Sequence, residues 1–99
     1  MNAKVIRYTT NPESAEENAR LVRAVYAELA ATRPEGFRYC TFRLEDGVSF
    51  VHVAILDGEV NPLATSAAFA DFQSGVKDRC IEGPYPSDAS VVGEYRFKD

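Results

Sequence analysis

Phe37-Arg38-Tyr39-Cys40-Thr41-Phe42-Arg43-Leu44-Glu45-Asp46-Gly47-Val48-Ser49-Phe50-Val51-His52-Val53-Ala54-Ile55-Leu56 is the stretch from which the fold is read. Both flanks alternate at the two-residue period of a strand. The Asp46-Gly47 pair between them is a hairpin signal, because glycine reaches the positive φ that tight turns need. A two-residue turn there pairs Glu45 with Val48, and hence Arg43 with Phe50, Thr41 with His52 and Tyr39 with Ala54. One face of the hairpin is then oily, with Cys40, Phe42, Leu44, Val51, Val53 and Ile55. The other is mixed, with Tyr39, Thr41, Arg43, Phe50, His52 and Ala54. Turn chemistry and alternation are independent cues, and they agree on this register.

Outward from the hairpin, Val5 to Thr9 reads as a first strand that ends at the Asn11-Pro12 breaker. Asn11 suits an N-cap and Pro12 a first helical position. Ala15, Ala19, Val22, Val25, Tyr26 and Leu29 then recur at three and four residues, the stripe of an amphipathic helix reaching about Thr32. Glu16 and Arg20 on its other face stand at the favourable four-residue spacing. After the hairpin, Asn61-Pro62 opens a second helix striped by Leu63, Phe69, Phe72, Val76 and Cys80, and Gly83-Pro84 and Pro86 break it. A last strand is expected over Ser90 to Phe97.

The order strand, helix, strand, strand, helix, strand predicts an α+β fold, the ferredoxin-like βαββαβ sandwich. It has a four-stranded antiparallel sheet with both helices on one face. The oily strand faces are expected beneath the helices. The opposite face would then carry Arg7, Tyr39, Thr41, Arg43, Phe50, His52 and Glu94, too apolar for water and too polar for a dry core. A lined cavity closed by the sheet of a second copy satisfies both facts.

Composition bounds the function. Ninety-nine residues fit one domain, 1–99. The net charge of −4 and the lack of a basic cluster argue against nucleic acid. No apolar run approaches the ~20 residues needed to cross a bilayer, and the N-terminus shows no signal-peptide pattern, so a cytoplasmic protein is expected, with no membrane partner. Cys40 and Cys80 match no metal or redox spacing and read as two buried thiols in a reducing compartment. Neither a metal site nor a dinucleotide or phosphate-loop fingerprint is present, so no cofactor is expected.

His52 is the chain's single histidine. The chemistry it suggests is proton transfer, since an imidazole titrates near neutral pH and can take a proton from a phenol or an acidic C–H. The candidate catalytic residues are His52 as base, Tyr39 to orient, and Arg7 (or Arg43) to hold the oxyanion. Thr41, Arg43, Phe50 and Glu94 are candidate substrate contacts. The competing reading has His52 merely hydrogen-bonded to Thr41 or Glu94 at a dimer interface.

The whole pattern, and in particular Phe50-Val51-His52-Val53-Ala54 followed by Asn61-Pro62-Leu63, Ala68-Phe69, Phe72-Gln73 and Pro84, resembles the dimeric α/β-barrel superfamily in its antibiotic-biosynthesis-monooxygenase-like branch. The resemblance implies a homodimer, with ligands between sheet and helices or inside the barrel. It implies a cofactor-independent monooxygenase acting on an aromatic or polyketide-like compound. The alternative is a non-catalytic ligand-binding or structural dimer of the same fold. The chain lacks tryptophan and has no histidine in its second helix, which separates it from the haem-degrading relatives.

Overall fold

The computed structural model describes residues 2–97. Strands β1 (Asn2–Thr10), β2 (Phe37–Arg43), β3 (Ser49–Leu56) and β4 (Cys80–Ala89) form one antiparallel sheet in the order β2-β3-β1-β4. Helix α1 (Ala15–Thr32) joins β1 to β2, and α2 (Ala67–Ser74) with the short α3 (Val76–Arg79) joins β3 to β4. The helices cover one face of the sheet, in the ferredoxin-like α+β arrangement.

The hairpin register is the one read from the sequence: Arg43 pairs with Phe50, Thr41 with His52 and Tyr39 with Ala54. The turn itself is wider than two residues. Leu44 and Ser49 still bond through their backbone, and the turn closes from Gly47 N–H to the Leu44 carbonyl at 3.0 Å, with Gly47 at φ +79. Asp46 braces it by accepting from the amides of Val48 and Ser49. A symmetric four-residue loop leaves the pairing sum of the two strands unchanged, so the register survives the different turn.

The two faces of the hairpin are the reverse of the expectation, whereas β1 keeps the expected one, with Tyr8 beneath the helices and Arg7 away from them. Tyr8, Phe50, His52 and Ala54 are buried beneath the helices, with Phe37 and Tyr39 packed against the same core. The oilier set lies on the face away from the helices, where Cys40 is exposed and Phe42 is 52% exposed, although Ile55 there is buried. The mixed face can be buried because its polar atoms satisfy one another, which removes the desolvation cost that isolated hydroxyls and an imidazole would carry. Arg7 pairs with Val51 and therefore projects to the uncovered side, where its guanidinium lies over Tyr85, away from His52.

The last strand also differs. It runs from Cys80 to Ala89, through Gly83-Pro84 and Pro86, whereas 90–97 form no strand and Glu94 is exposed. Prolines read as breakers are tolerated here because β4 lies at the sheet edge among the described residues, paired with β1. Its ladder shifts register near Arg7 and Thr9, where Gly83 sits at φ +83 against β1.

In α1 the buried stripe is Ala15, Asn18, Ala19, Val22 and Val25, which adds a polar residue to the expected set. Arg20 pairs with Glu17 at 2.7 Å, and Glu16 pairs with Arg43. A 3-10 turn over Pro12–Ser14 precedes the helix, and Asn11 does not cap it: its side-chain amide donates to the Arg79 carbonyl. Ser66 caps α2 by accepting from the Phe69 amide, and it also bonds to Glu28 of α1, which ties the two helices together.

Gly83→Ala tests the β1–β4 contact. A Cβ there would lie 2.9 Å from the Arg7 carbonyl oxygen and 3.2 Å from Tyr8 Cα, whereas at Gly47 it would meet nothing within 4 Å. Both positions have positive φ, so Gly47→Ala is expected to cost about 1 kcal/mol and Gly83→Ala at least about 2 kcal/mol in urea unfolding. Equal losses would show that the close approach at Gly83 is absorbed by strand movement.

Candidate functional site

Beneath the helices, the paired strands bring two tyrosines, a threonine and the histidine together, and α1 adds a third tyrosine. Alternation places Tyr8 of β1, Tyr39 and Thr41 of β2, and His52 of β3 on one face, with Ile6 directly opposite His52. His52 Nε2 lies 2.7 Å from Tyr8 Oη. Its Nδ1 lies 2.6 Å from Tyr39 Oη and 3.1 Å from Thr41 Oγ1. Thr41 Oγ1 is in turn 2.8 Å from Tyr26 Oη of α1. On the other side Asn18 of α1 donates from its amide to Tyr8 Oη, and Arg79 Nε donates to Asn18 Oδ1. A continuous chain of hydrogen bonds thus runs from Arg79 through Asn18, Tyr8 and His52 to Tyr39, Thr41 and Tyr26.

The electrostatics follow from burial. His52 is 3% exposed, and desolvation lowers its pKa to about 4, so the imidazole is neutral at physiological pH. Desolvation raises the phenol of Tyr26 to about 12 and pushes those of Tyr8 and Tyr39 higher still. The site is therefore an uncharged network of donors and acceptors. Arg79 is the nearby buried cation, and its guanidinium lies over the Phe72 ring and donates to the Phe72 carbonyl.

A cavity of about 110 Å³ opens beside this network. Its wall includes Ile6, Phe69, Phe72, Val76, Pro84 and Pro86, and its polar lining comes from Tyr8, Tyr39, His52 and Gln73. Apolar walls with a few converging polar groups are the usual make-up of a small-molecule site. Among the described residues no group of three or more His, Cys, Asp or Glu side chains could hold a metal ion.

Of the residues singled out in the sequence, His52, Tyr39 and Thr41 meet here. Phe50 is buried on the same face and stacks on Tyr8, with ring centroids 5.5 Å apart. Arg43 lies toward the end of the hairpin, bonded to Glu16 and to the Gly47 carbonyl. Arg7 and Glu94 are not brought to His52. Sequence reasoning missed Tyr8, Asn18 and Arg79. Tyr8 was overlooked because its neighbour Arg7 was placed on the face of His52, whereas Tyr8 is the residue of β1 that shares that face. Asn18 carried a readable signal, since it stands three residues after Ala15 and four before Val22 within the apolar stripe. Cys40 is exposed and Cys80 half-buried, and both are free thiols.

The architecture matches several solved structures over almost its full length. Rv0793 from Mycobacterium tuberculosis superposes with a TM-score of 0.72 at 16% identity, covering 94% of this chain and 96% of that one. SnoaB from Streptomyces nogalater, a cofactor-independent oxygenase, gives 0.69 at 16% identity and covers 96% of each chain. A Nitrosomonas europaea protein provisionally named an antibiotic biosynthesis monooxygenase gives 0.75 at 14% identity, covering 92% of this chain and 89% of that one. The fold is that of the antibiotic-biosynthesis-monooxygenase-like proteins. No family model and no curated protein matches the sequence significantly. No helix among the described residues is long and apolar enough to cross a membrane.

The neutral imidazole makes stability depend on pH. Folded His52 holds a proton less tightly than the unfolded chain does, so between pH 6.5 and about 4 the unfolded state binds more protons. Its contribution is complete above pH 6.5 and is lost as pH falls toward 4, about 3 kcal/mol in all. Urea melts of wild type and His52→Gln at several pH values should show the gap between them shrinking by up to that amount on acidification. A gap independent of pH would show that His52 is not held neutral by burial.

Proposed function

We propose that this chain is a cofactor-independent monooxygenase-like enzyme that takes an acidic phenol or enol, of aromatic or polyketide type, into the cavity beside His52. The observation that carries the reading is the Tyr8–His52–Tyr39 bridge lining a mostly apolar cavity. The cavity is of the same order as the ~150 Å³ engineered void that holds benzene. One ring enters, and a larger polyketide inserts an edge ring with the remainder outside.

The electrostatics narrow the substrate. An imidazole with a pKa of about 4 is a weak acceptor for the proton of a simple phenol, whose pKa is about 10. The suitable substrate has a hydroxyl acidic enough to ionise with little help. Its anion is electron-rich and passes one electron to molecular oxygen. The resulting radical and superoxide combine at a ring carbon that bears hydrogen, and loss of water leaves a quinone. One oxygen atom enters the ring and the other leaves as water, with the substrate as the sole source of electrons. The protein's part is to orient the ring, exclude water and hydrogen-bond the oxyanion through Tyr39, with Thr41 alongside. That one protein of the same fold is a cofactor-independent oxygenase supports this reading.

Binding without turnover is the second reading. It is favoured by the engagement of both His52 ring nitrogens with hydroxyls, which lets a ligand dock without any proton transfer. Oxygen uptake with acidic dihydroxyaromatic compounds separates the two. Turnover is expected with wild type, and Tyr39→Phe is expected to lower kcat by about 10²-fold or more, as for loss of one oxyanion donor. Saturable binding with no oxygen uptake would leave the second reading.

The proposal includes a homodimer through the uncovered sheet face. Support comes from its apolar character, with Phe42, Val51 and Val53 adjacent across the β2–β3 ladder and Val5 of β1 beside them. Wild type is expected to sediment as a dimer and Phe42→Glu as a monomer, while a monomeric wild type would rule this assembly out.

A further inference from the structure

The buried chain of hydrogen bonds has a direction. Arginine carries only donors, so the Asn18 atom 3.1 Å from Arg79 Nε is the carbonyl oxygen, and the amide nitrogen is turned toward Tyr8. Tyr8 Oη accepts from that nitrogen at 2.8 Å, which leaves its single proton for His52 Nε2 at 2.7 Å. A neutral imidazole whose Nε2 accepts must carry its proton on Nδ1. Nδ1–H then donates to Tyr39 Oη at 2.6 Å in preference to Thr41 Oγ1 at 3.1 Å. His52 makes no demand on the Tyr39 proton, which is free for Thr41 or for an acceptor in the cavity. An anionic acceptor takes it ahead of a neutral hydroxyl, because hydrogen bonds to charged groups are the stronger ones.

The source of this direction is well anchored. Arg79 is 9% exposed and donates to the Phe72 carbonyl at 2.8 Å, and its own carbonyl accepts from the Asn11 amide at 2.7 Å. Asn18 is fully buried in the α1 stripe. A flipped Asn18 amide would set two donors against each other in the interior, a cost of about 1–3 kcal/mol or more for the stranded groups.

We propose that Arg79 and Asn18 are positioning residues that fix the direction of hydrogen bonding through Tyr8 and His52. Tyr39 then meets the cavity as a donor, and the site selects ligands that present an oxyanion or a carbonyl oxygen. The ligand half of this statement rests on the reading of the cavity as a small-molecule site; the directional half does not.

The lone histidine makes the test clean, since the protein gives one pair of imidazole nitrogens. Long-range proton–nitrogen correlation spectra of nitrogen-15-labelled protein near neutral pH show which of the two carries the proton. Wild type is expected to carry it on Nδ1. In Asn18→Asp a carboxylate oxygen replaces the amide nitrogen and accepts the Tyr8 proton. Tyr8 must then accept from His52, and the imidazole proton moves to Nε2. The new carboxylate also faces Arg79, which favours folding. Should that variant fail to fold, Tyr8→Phe removes the donor to Nε2 and is expected to abolish the preference for Nδ1. A wild-type proton on Nε2, or an unchanged tautomer in the variants, overturns the proposal. 4-Nitrophenol, added above its own pKa so that it is a phenolate, probes the ligand half. It is expected to bind wild type about tenfold or more tighter than Asn18→Asp, the weight of one hydrogen bond to a charged group. Equal affinities overturn the ligand selection. A tautomer that shifts as expected, with no nitrophenolate binding to wild type, upholds the positioning role and overturns the proposed function.

Discussion

The hydrogen-bond chain from Arg79 to Tyr26 is the constraint on which the rest of the fold depends. It links β1, β2, β3, α1 and the end of α3, and each polar atom in it would be costly alone in the interior. Because each finds a partner, the helices can close over a face containing two phenols, a threonine hydroxyl and an imidazole. That closure sends the oilier strand residues to the other side of the sheet. Burial of the site and exposure of Phe42 and Cys40 are thus two results of one arrangement.

The same closure sets the character of the site. Desolvation keeps His52 neutral and its tyrosines protonated, so the cavity meets a ligand with oriented dipoles rather than with charge. Oriented dipoles in a dry site stabilise developing charge without having to reorganise. That character is why the proposed chemistry starts from an electron-rich anion rather than from full deprotonation of a weak acid. The strand that completes the cavity, β4, brings Pro84 and Pro86 to its wall. They are possible there because an edge strand can dispense with amide donors on one side.

The hairpin register was legible in the sequence because strand alternation and turn chemistry are local and independent. The pairings of His52 with Thr41 and of Tyr39 with Ala54 came from them, although the turn is of another type. The amphipathic α1 was legible for the same reason. The fourth strand was not, since Gly83-Pro84 and Pro86 mark a break in any local reading, and only a position at the sheet edge makes them compatible with a strand. Asn18 stood in plain view on the buried stripe, but its meaning requires Tyr8 and Arg79, ten and sixty-one residues away along the chain.

By itself the sequence determined the order of elements, the central hairpin and the presence of His52 and Tyr39 on one strand face. These depend on periodicity and turn geometry, which act over a few residues. Only the tertiary structure decided which face of the sheet the helices cover, and with it the partners of His52. Side-chain composition ranks a face by how oily it is. Burial, however, is set by the net cost after polar groups have met their partners, and those partners come from strands and helices far apart in the chain.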